Sequence, residues 1–185
     1  MATNSHGTQK DTSTLNRTKI PSQSSSKLIS NSKVSKMELR CYYQNTRGLR
    51  TKTVEVNKAI SANNYDIYAL TETWLHSGIF NHELFDTRYT IFRNDRTTDG
   101  SIMGGGVLIA IIKSPNYKLI HHPEWQNPII EDVWVTIKPQ SGPSFHIYNA
   151  YIPGSISADT FTCYISQLID RINELGTDNI IITGD

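Results

Sequence analysis

Four polar residues stand where apolar stretches run out, and their types could hold a cation and move a proton. Asn45 follows "CYYQ", Glu72 follows "IYALT", Tyr151 ends "HIYNAY" and Asp185 ends "IIITGD". Loops at the ends of rigid strands are where binding and catalytic groups gather. A carboxylate such as Glu72, with amide and water oxygens, suits Mg²⁺, a hard cation that keeps several waters and needs one or two protein carboxylates. Asp185 could orient or deprotonate a water, and Tyr151 could donate to a phosphate oxygen. Each also has a plain reading: Asn45 as a turn former, Glu72 as a surface cap, Tyr151 as a packed ring with a wet hydroxyl, Asp185 as a solvated end. Together they suggest one polar rim.

Such a rim needs strands to deliver it. "MELRCYYQ" reads as a strand, "NTRGLR" as a loop, and "TKTVEVNKAISANN" as a helix with Leu49, Thr53, Val56 and Ile60 on one face. "YDIYALTET" is the next strand, and this β-α-β order implies a parallel pair joined by a crossover. "YTIFR", "GVLIAIIK", "EDVWVTIK" and "SFHIYNAYI" then read as an antiparallel meander separated by turn-rich segments. In "ADTFTCYISQLIDRINELG" the stripe Phe161, Ile165, Leu168, Ile172, Leu175 predicts an amphipathic helix that stops at Gly176. "DNIIITGD" is the last strand. The order predicts a layered α/β fold with helices covering a sheet.

Composition narrows the classes. The longest apolar run, "GVLIAII", is far shorter than the roughly 20 residues that span a bilayer. The start has no apolar core or cleavage pattern of a secretory signal, so an intracellular protein is expected. Residues 1–36 are rich in Ser, Thr, Asn and Lys and read as a disordered basic leader, with the globular part from Met37 to Asp185. That leader holds six of the basic residues and one acidic residue, which leaves the body mildly acidic, at 12 basic against 16 acidic. Cys41 and Cys163 lie in apolar-periodic stretches and are expected to be buried thiols rather than a disulfide or zinc pair.

Other candidates carry less. Gly104-Gly105-Gly106 is not a phosphate-binding P-loop, because no Gly-Lys-Ser/Thr follows and it opens a strand. His121-His122 reads as a surface pair in a loop before Pro123. Trp134 in "VWV" is expected in the core, and Trp74, close to Glu72, is the tryptophan placed to stack on a base.

The ordered stretches "CYYQNTRGL", "IYALTETWL", "YNAYIPG" and "IIITGD" resemble the endonuclease/exonuclease/phosphatase superfamily, which includes apurinic-site endonucleases and deoxyribonuclease I. "FRNDRTTDGSIMGGGVLIAI" is similar to the apurinic-endonuclease-like domain at the front of non-LTR retrotransposon polyproteins, where a basic-acidic turn runs into a glycine-rich strand start. The resemblance implies a deoxyribonuclease I-like four-layer α/β sandwich: two central mixed sheets flanked by helices, incomplete here. It implies that Asn45 arranges the metal and its waters, Glu72 binds the metal, Tyr151 lies near the scissile phosphate, and Asp185 activates the attacking water. The implied cofactor is Mg²⁺, with Mn²⁺ as an alternative. The implied partners are DNA and a reverse transcriptase domain of the same polyprotein, with no membrane, and the implied location is the nucleus.

In the family the Gly-Asp is followed by Phe-Asn, and later by another aspartate and Ser-Asp-His. None of these is in the 185 residues, so a C-terminally truncated domain, inactive by itself, is expected. Gly154 stands where some relatives carry asparagine or proline. Two rival readings remain: a phosphatase of the same superfamily acting on inositol phosphates or phospholipids, and a non-catalytic nucleic-acid-binding remnant that uses the leader's lysines.

Overall fold

The β-branched and aromatic stretches form eight strands in two sheets, as seen in a computed structural model that describes residues 37–96, 104–177 and 179–185. The expected leader lies outside these residues. The first strand, β1 (Cys41–Asn45), leads through α1 (Thr53–Asn63) to β2 (Ile67–Thr71), and the two strands pair in parallel, with Cys41 opposite Ile67 and Asn45 opposite Thr71. Val56 and Ile60 pack into the core, Leu49, expected on the same helical face, joins them from the loop before α1, and α1 ends where Asn64 takes a left-handed conformation, which a short polar side chain tolerates. A short helix, α2 (Asn81–Leu84), precedes β3 (Tyr89–Asn94) and β4 (Val107–Ile112). These complete a first mixed sheet of order β1-β2-β4-β3.

The second sheet is built from β5 (Tyr117–His121), β6 (Glu131–Pro139), β7 (Phe145–Tyr151) and β8 (Ile180–Gly184), in that order. The pairs β5-β6 and β6-β7 are antiparallel, while β8 returns parallel to β7 after α3 (Ala158–Leu175). The expected single meander is therefore split. "YTIFR" and "GVLIAII" form a hairpin in the first sheet, and "EDVWVTIK" and "SFHIYNAYI" belong to the second. β5 forms where the sequence pattern predicts a loop. Only Tyr117 of its residues is fully buried, so its alternation is short and weak.

Four layers result. Ile67, Val107, Ile109 and Ile111 of the first sheet face Val133, Val135, Ile137 and Ile147 of the second. On the outer side of the first sheet, Tyr68, Leu70 and Leu108 pack with Ile60, Leu84 and Phe85. On the outer side of the second, Trp134 and Tyr148 meet α3 through Tyr164, Leu168 and Ile172. The chain thus has the α/β sandwich expected, with Trp134 in the core. The α3 stripe needs one correction: Phe161 is 41% exposed, and Tyr164 is the buried aromatic. Its hydroxyl meets that of Tyr148 at 2.7 Å, so the ring with a polar tip fills the inward position. Ser157 caps the helix start by accepting from the Thr160 N–H, and Gly176 ends it with φ +58°.

Cys41 is half-buried, and burial pushes its thiol up from the ordinary range; Cys163 is exposed on α3, contrary to expectation. His121 ends β5, and the His122 ring lies 2.8 Å from the buried Thr136 hydroxyl and stacks on Trp125. Neither histidine is the exposed residue expected, because β5 carries His121 against β6 and the His122 N–H, just past the strand, still donates to Trp134 O of β6.

Candidate active site

The C-terminal ends of β1, β2, β7 and β8 lie at one rim. Asn45 is the last residue of β1, Glu72 follows β2, Tyr151 ends β7 and Asp185 follows β8. Parallel pairing in both sheets aligns these ends, and β4 and β6 bring their N-termini, Gly106-Val107 and Glu131, to the same edge.

Asn45 joins two of the others. Its Nδ2 donates to Glu72 Oε1 at 3.0 Å and to Asp185 Oδ2 at 2.7 Å, and its Oδ1 accepts from the Arg47 N–H at 3.1 Å. Two carboxylates from different sheets are thus held by one amide group. Glu72 is half-buried and Asp185 exposed. Two like charges held by one amide repel, and a hard cation between them would remove the repulsion, so this oxygen donor set fits a divalent ion such as Mg²⁺.

The backbone around Glu72 is clamped. Beyond the β1-β2 ladder, Thr46 N–H donates to Thr71 O, Gly48 N–H to Glu72 O and Leu49 N–H to Thr73 O, at 2.8–2.9 Å. From the other side, Thr73 and Trp74 N–H donate to Gly106 and Gly105 O. The clamp holds Glu72 at φ +49°, Trp74 at +54° and Arg47 at +47°, a left-handed region that costs non-glycine residues of order 1–3 kcal/mol each. Such conformations persist where the surroundings impose them, and they cluster at working sites. Trp74 is half-buried, with its ring over Gly48. A Cβ there would lie 2.7 Å from the indole, so this glycine is needed for contact as well as for its φ of +93°. Trp74 is therefore packed against the β1–α1 connection rather than standing free.

Tyr151 approaches from the facing sheet. Asn149, two residues earlier on the same side of β7, is fully buried and donates to Leu70 O (2.9 Å) and Leu108 O (3.1 Å), which locks the two sheets in register just beneath the rim. Asn149 Oδ1 in turn accepts from Thr183 Oγ1 at 3.0 Å, fixing β8 behind Asp185. Tyr43 adds a further tie, donating to Gly184 O at 2.7 Å. Sequence reasoning did not single out Asn149 or Tyr43. The signal for Asn149 was an amide inside the apolar run "IYNAY", where a buried polar group must find partners. No bond of Asn45 or Asp185 reaches Tyr151 itself; the nearest link is Ile152 N–H to Asp185 O at 2.8 Å.

No protein-family model and no curated protein sequence matches the chain. Solved structures do match in fold. The endonuclease domain of TRAS1, a telomere-specific non-LTR retrotransposon, aligns with 80% of this chain and 58% of its own at 16% identity and TM-score 0.54. The apurinic endonuclease LMAP from Leishmania major aligns over 80% and 54% at 15% identity and TM-score 0.57. ANGEL2, a 2′,3′-cyclic phosphatase, aligns over 80% and 53% at 14% identity and TM-score 0.56. The chain therefore spans less than two thirds of the length of these proteins.

Proposed function

We propose that this chain, which has the deoxyribonuclease I-like α/β sandwich shared by these nucleases and phosphatases, is the metal-holding part of a DNA endonuclease domain of the non-LTR retrotransposon type. The observation that carries the reading is the Asn45 amide bonded to both Glu72 and Asp185 at the ends of strands from two sheets. Glu72 is the metal ligand. Asn45 keeps Glu72 and Asp185 together and can lend its Oδ1 to the ion. Mg²⁺, or Mn²⁺ in its place, would supply charge neutralisation on the phosphate oxygens when bound.

The chain's own residues account for the rest. Asp185, exposed and oriented by Asn45, accepts a proton from the attacking water, whose oxygen bonds to phosphorus. Tyr151 donates to a phosphate oxygen. The bond from phosphorus to the 3′ oxygen breaks and that oxygen takes a proton from solvent, leaving a 3′ hydroxyl that can prime a reverse transcriptase domain of the same polyprotein. DNA is thus the partner and the nucleus the working place. Among the described residues no helix is long and apolar enough to cross a membrane. Among the described residues no cationic side chain bonds to Asn45, Glu72 or Asp185 to stabilise charge on the phosphate, so the 185 residues alone are expected not to nick DNA.

The fold does not choose between nuclease and phosphatase; the choice rests on the resemblance of "FRNDRTTDGSIMGGGVLIAI". The test is to read the transcript beyond the Asp185 codon and assay the extended protein on supercoiled plasmid with Mg²⁺. Nicks extendable by a polymerase, abolished by Glu72→Ala, are expected. Hydrolysis of soluble inositol phosphates with intact plasmid would replace this reading by the phosphatase one.

A further inference from the structure

The glycine run Gly104-Gly105-Gly106 is no P-loop, yet the structure gives it a tenant. The Arg96 guanidinium lies against it: a Cβ on Gly105 would come within 2.4 Å of the guanidinium Cζ and Nε, and one on Gly104 within 3.1 Å of Nη1. Both glycines also have positive φ, +92° and +68°, which favours glycine there, and a side chain on Gly105 would push the guanidinium off its seat. Arg96 Nε donates to Glu131 Oε1 at 2.5 Å and Nη2 to Oε2 at 3.2 Å, a two-point grip that fixes the guanidinium plane. Glu131 is the residue opposite Tyr151 in the β6-β7 ladder, and Arg96 Cζ lies 5.3 Å from the centre of the Tyr151 ring. The side chains of Arg96 and Glu131 are only 21% and 14% exposed.

The same glycine run accepts from Thr73 and Trp74 N–H, directly after Glu72. Arg96 therefore sits between the backbone that holds Glu72 and the ring of Tyr151, on opposite sheets. Because Glu131 neutralises its charge, Arg96 is poorly suited to capture a phosphate by attraction alone. Its flat face is suited to holding an aromatic ring, which a lysine ammonium cannot do in the same way.

We propose that Arg96 is a positioning residue for Tyr151: held in plane by Glu131 and seated on Gly104 and Gly105, its guanidinium fixes the phenol ring so that the hydroxyl meets a phosphodiester of the substrate. This rests on the phosphodiesterase reading above. The test is ¹⁹F NMR of the full chain labelled with 3-fluorotyrosine, with the Tyr151 line assigned by Tyr151→Phe and a short blunt DNA duplex in MgCl₂ as the probe. Arg96→Lys is expected to move the Tyr151 line toward that of the free amino acid and to cut its DNA-induced shift to about half or less, because charge without a plane does not hold the ring. The other tyrosine lines and the thermal midpoint stay in place, which loss of a merely structural contact would not give. Glu131→Gln, which keeps the packing, is expected to act in the same direction and serves if Arg96→Lys fails to fold. A Tyr151 line and DNA response unchanged in both variants overturns the proposal. If the duplex leaves the Tyr151 line of the unaltered chain unmoved while Arg96→Lys still displaces it, the phosphodiester reading fails and the Arg96 hold on Tyr151 stands.

Discussion

Two acidic clusters in this molecule use similar residues to opposite ends. Behind the second sheet, Asp132 is 3% exposed, accepts from the Tyr148 hydroxyl at 2.9 Å and from the Asn127 N–H at 3.1 Å, and Tyr148 meets Tyr164 at 2.7 Å. Burial, the largest cause, pushes the Asp132 carboxyl up to about 6. At the rim, a half-buried Glu72 on a strained backbone and an exposed Asp185 share one amide. A displaced acid by itself would have pointed to Asp132. Its partners are complete and come from the packed core, whereas among the described residues the rim pair has more negative charge than its protein partners answer. The difference between a structural carboxylate and the proposed functional pair lies in what remains unsatisfied.

That contrast can be broken by substitution. The largest effect expected is on metal binding: Glu72→Gln should weaken Mn²⁺ or Mg²⁺ binding by roughly tenfold to a hundredfold, read by calorimetric titration. Its thermal midpoint should stay level or rise, since one of two repelling charges is gone. Metal binding unchanged in this variant would remove the rim's claim.

Asp132 should behave in the reverse way. Asp132→Ala strands the buried Tyr148 hydroxyl and should lower stability by roughly 2–4 kcal/mol in urea unfolding, with metal binding intact. The same carboxyl predicts a pH dependence. Between about pH 4 and 6 the folded chain holds a proton that the unfolded chain has released, so its contribution is full below that window and falls as pH rises through about 6. The fall is roughly 3 kcal/mol, and Asp132→Asn should flatten it. Smaller still, Tyr43→Phe removes the bond to Gly184 O and should cost about 0.5–1.5 kcal/mol. An equal loss from Tyr43→Phe and Asp132→Ala would erase the distinction between rim and core.

How much of this was readable beforehand follows from the range of the interactions. β2, β7 and β8 announce themselves by apolar runs, α3 by its stripe and by Gly176, and the strand-end positions of Asn45, Glu72, Tyr151 and Asp185 follow from those runs. Which strands share a sheet does not, because periodicity names a strand's face and not its neighbours; hence the meander that proved to be two sheets. β5 escaped because an edge strand with Lys118 and Ile120 outward has little pattern to detect. Tyr164 was passed over for Phe161 because hydrophobic spacing ignores a hydroxyl that finds a partner. The Asn45 bonds to Glu72 and Asp185 span 27 and 140 residues, and Arg96 meets Glu131 across 35. Only the folded sheets bring such groups together.

The most direct test of the central claim is paramagnetic broadening by Mn²⁺ in the ¹⁵N spectrum of the chain. Broadening confined at low Mn²⁺ to the amides around Asn45, Glu72 and Asp185, and relieved by Mg²⁺, is the result expected of a divalent-metal site at the rim. Broadening centred on other acidic residues, or none at saturating Mn²⁺, would contradict it.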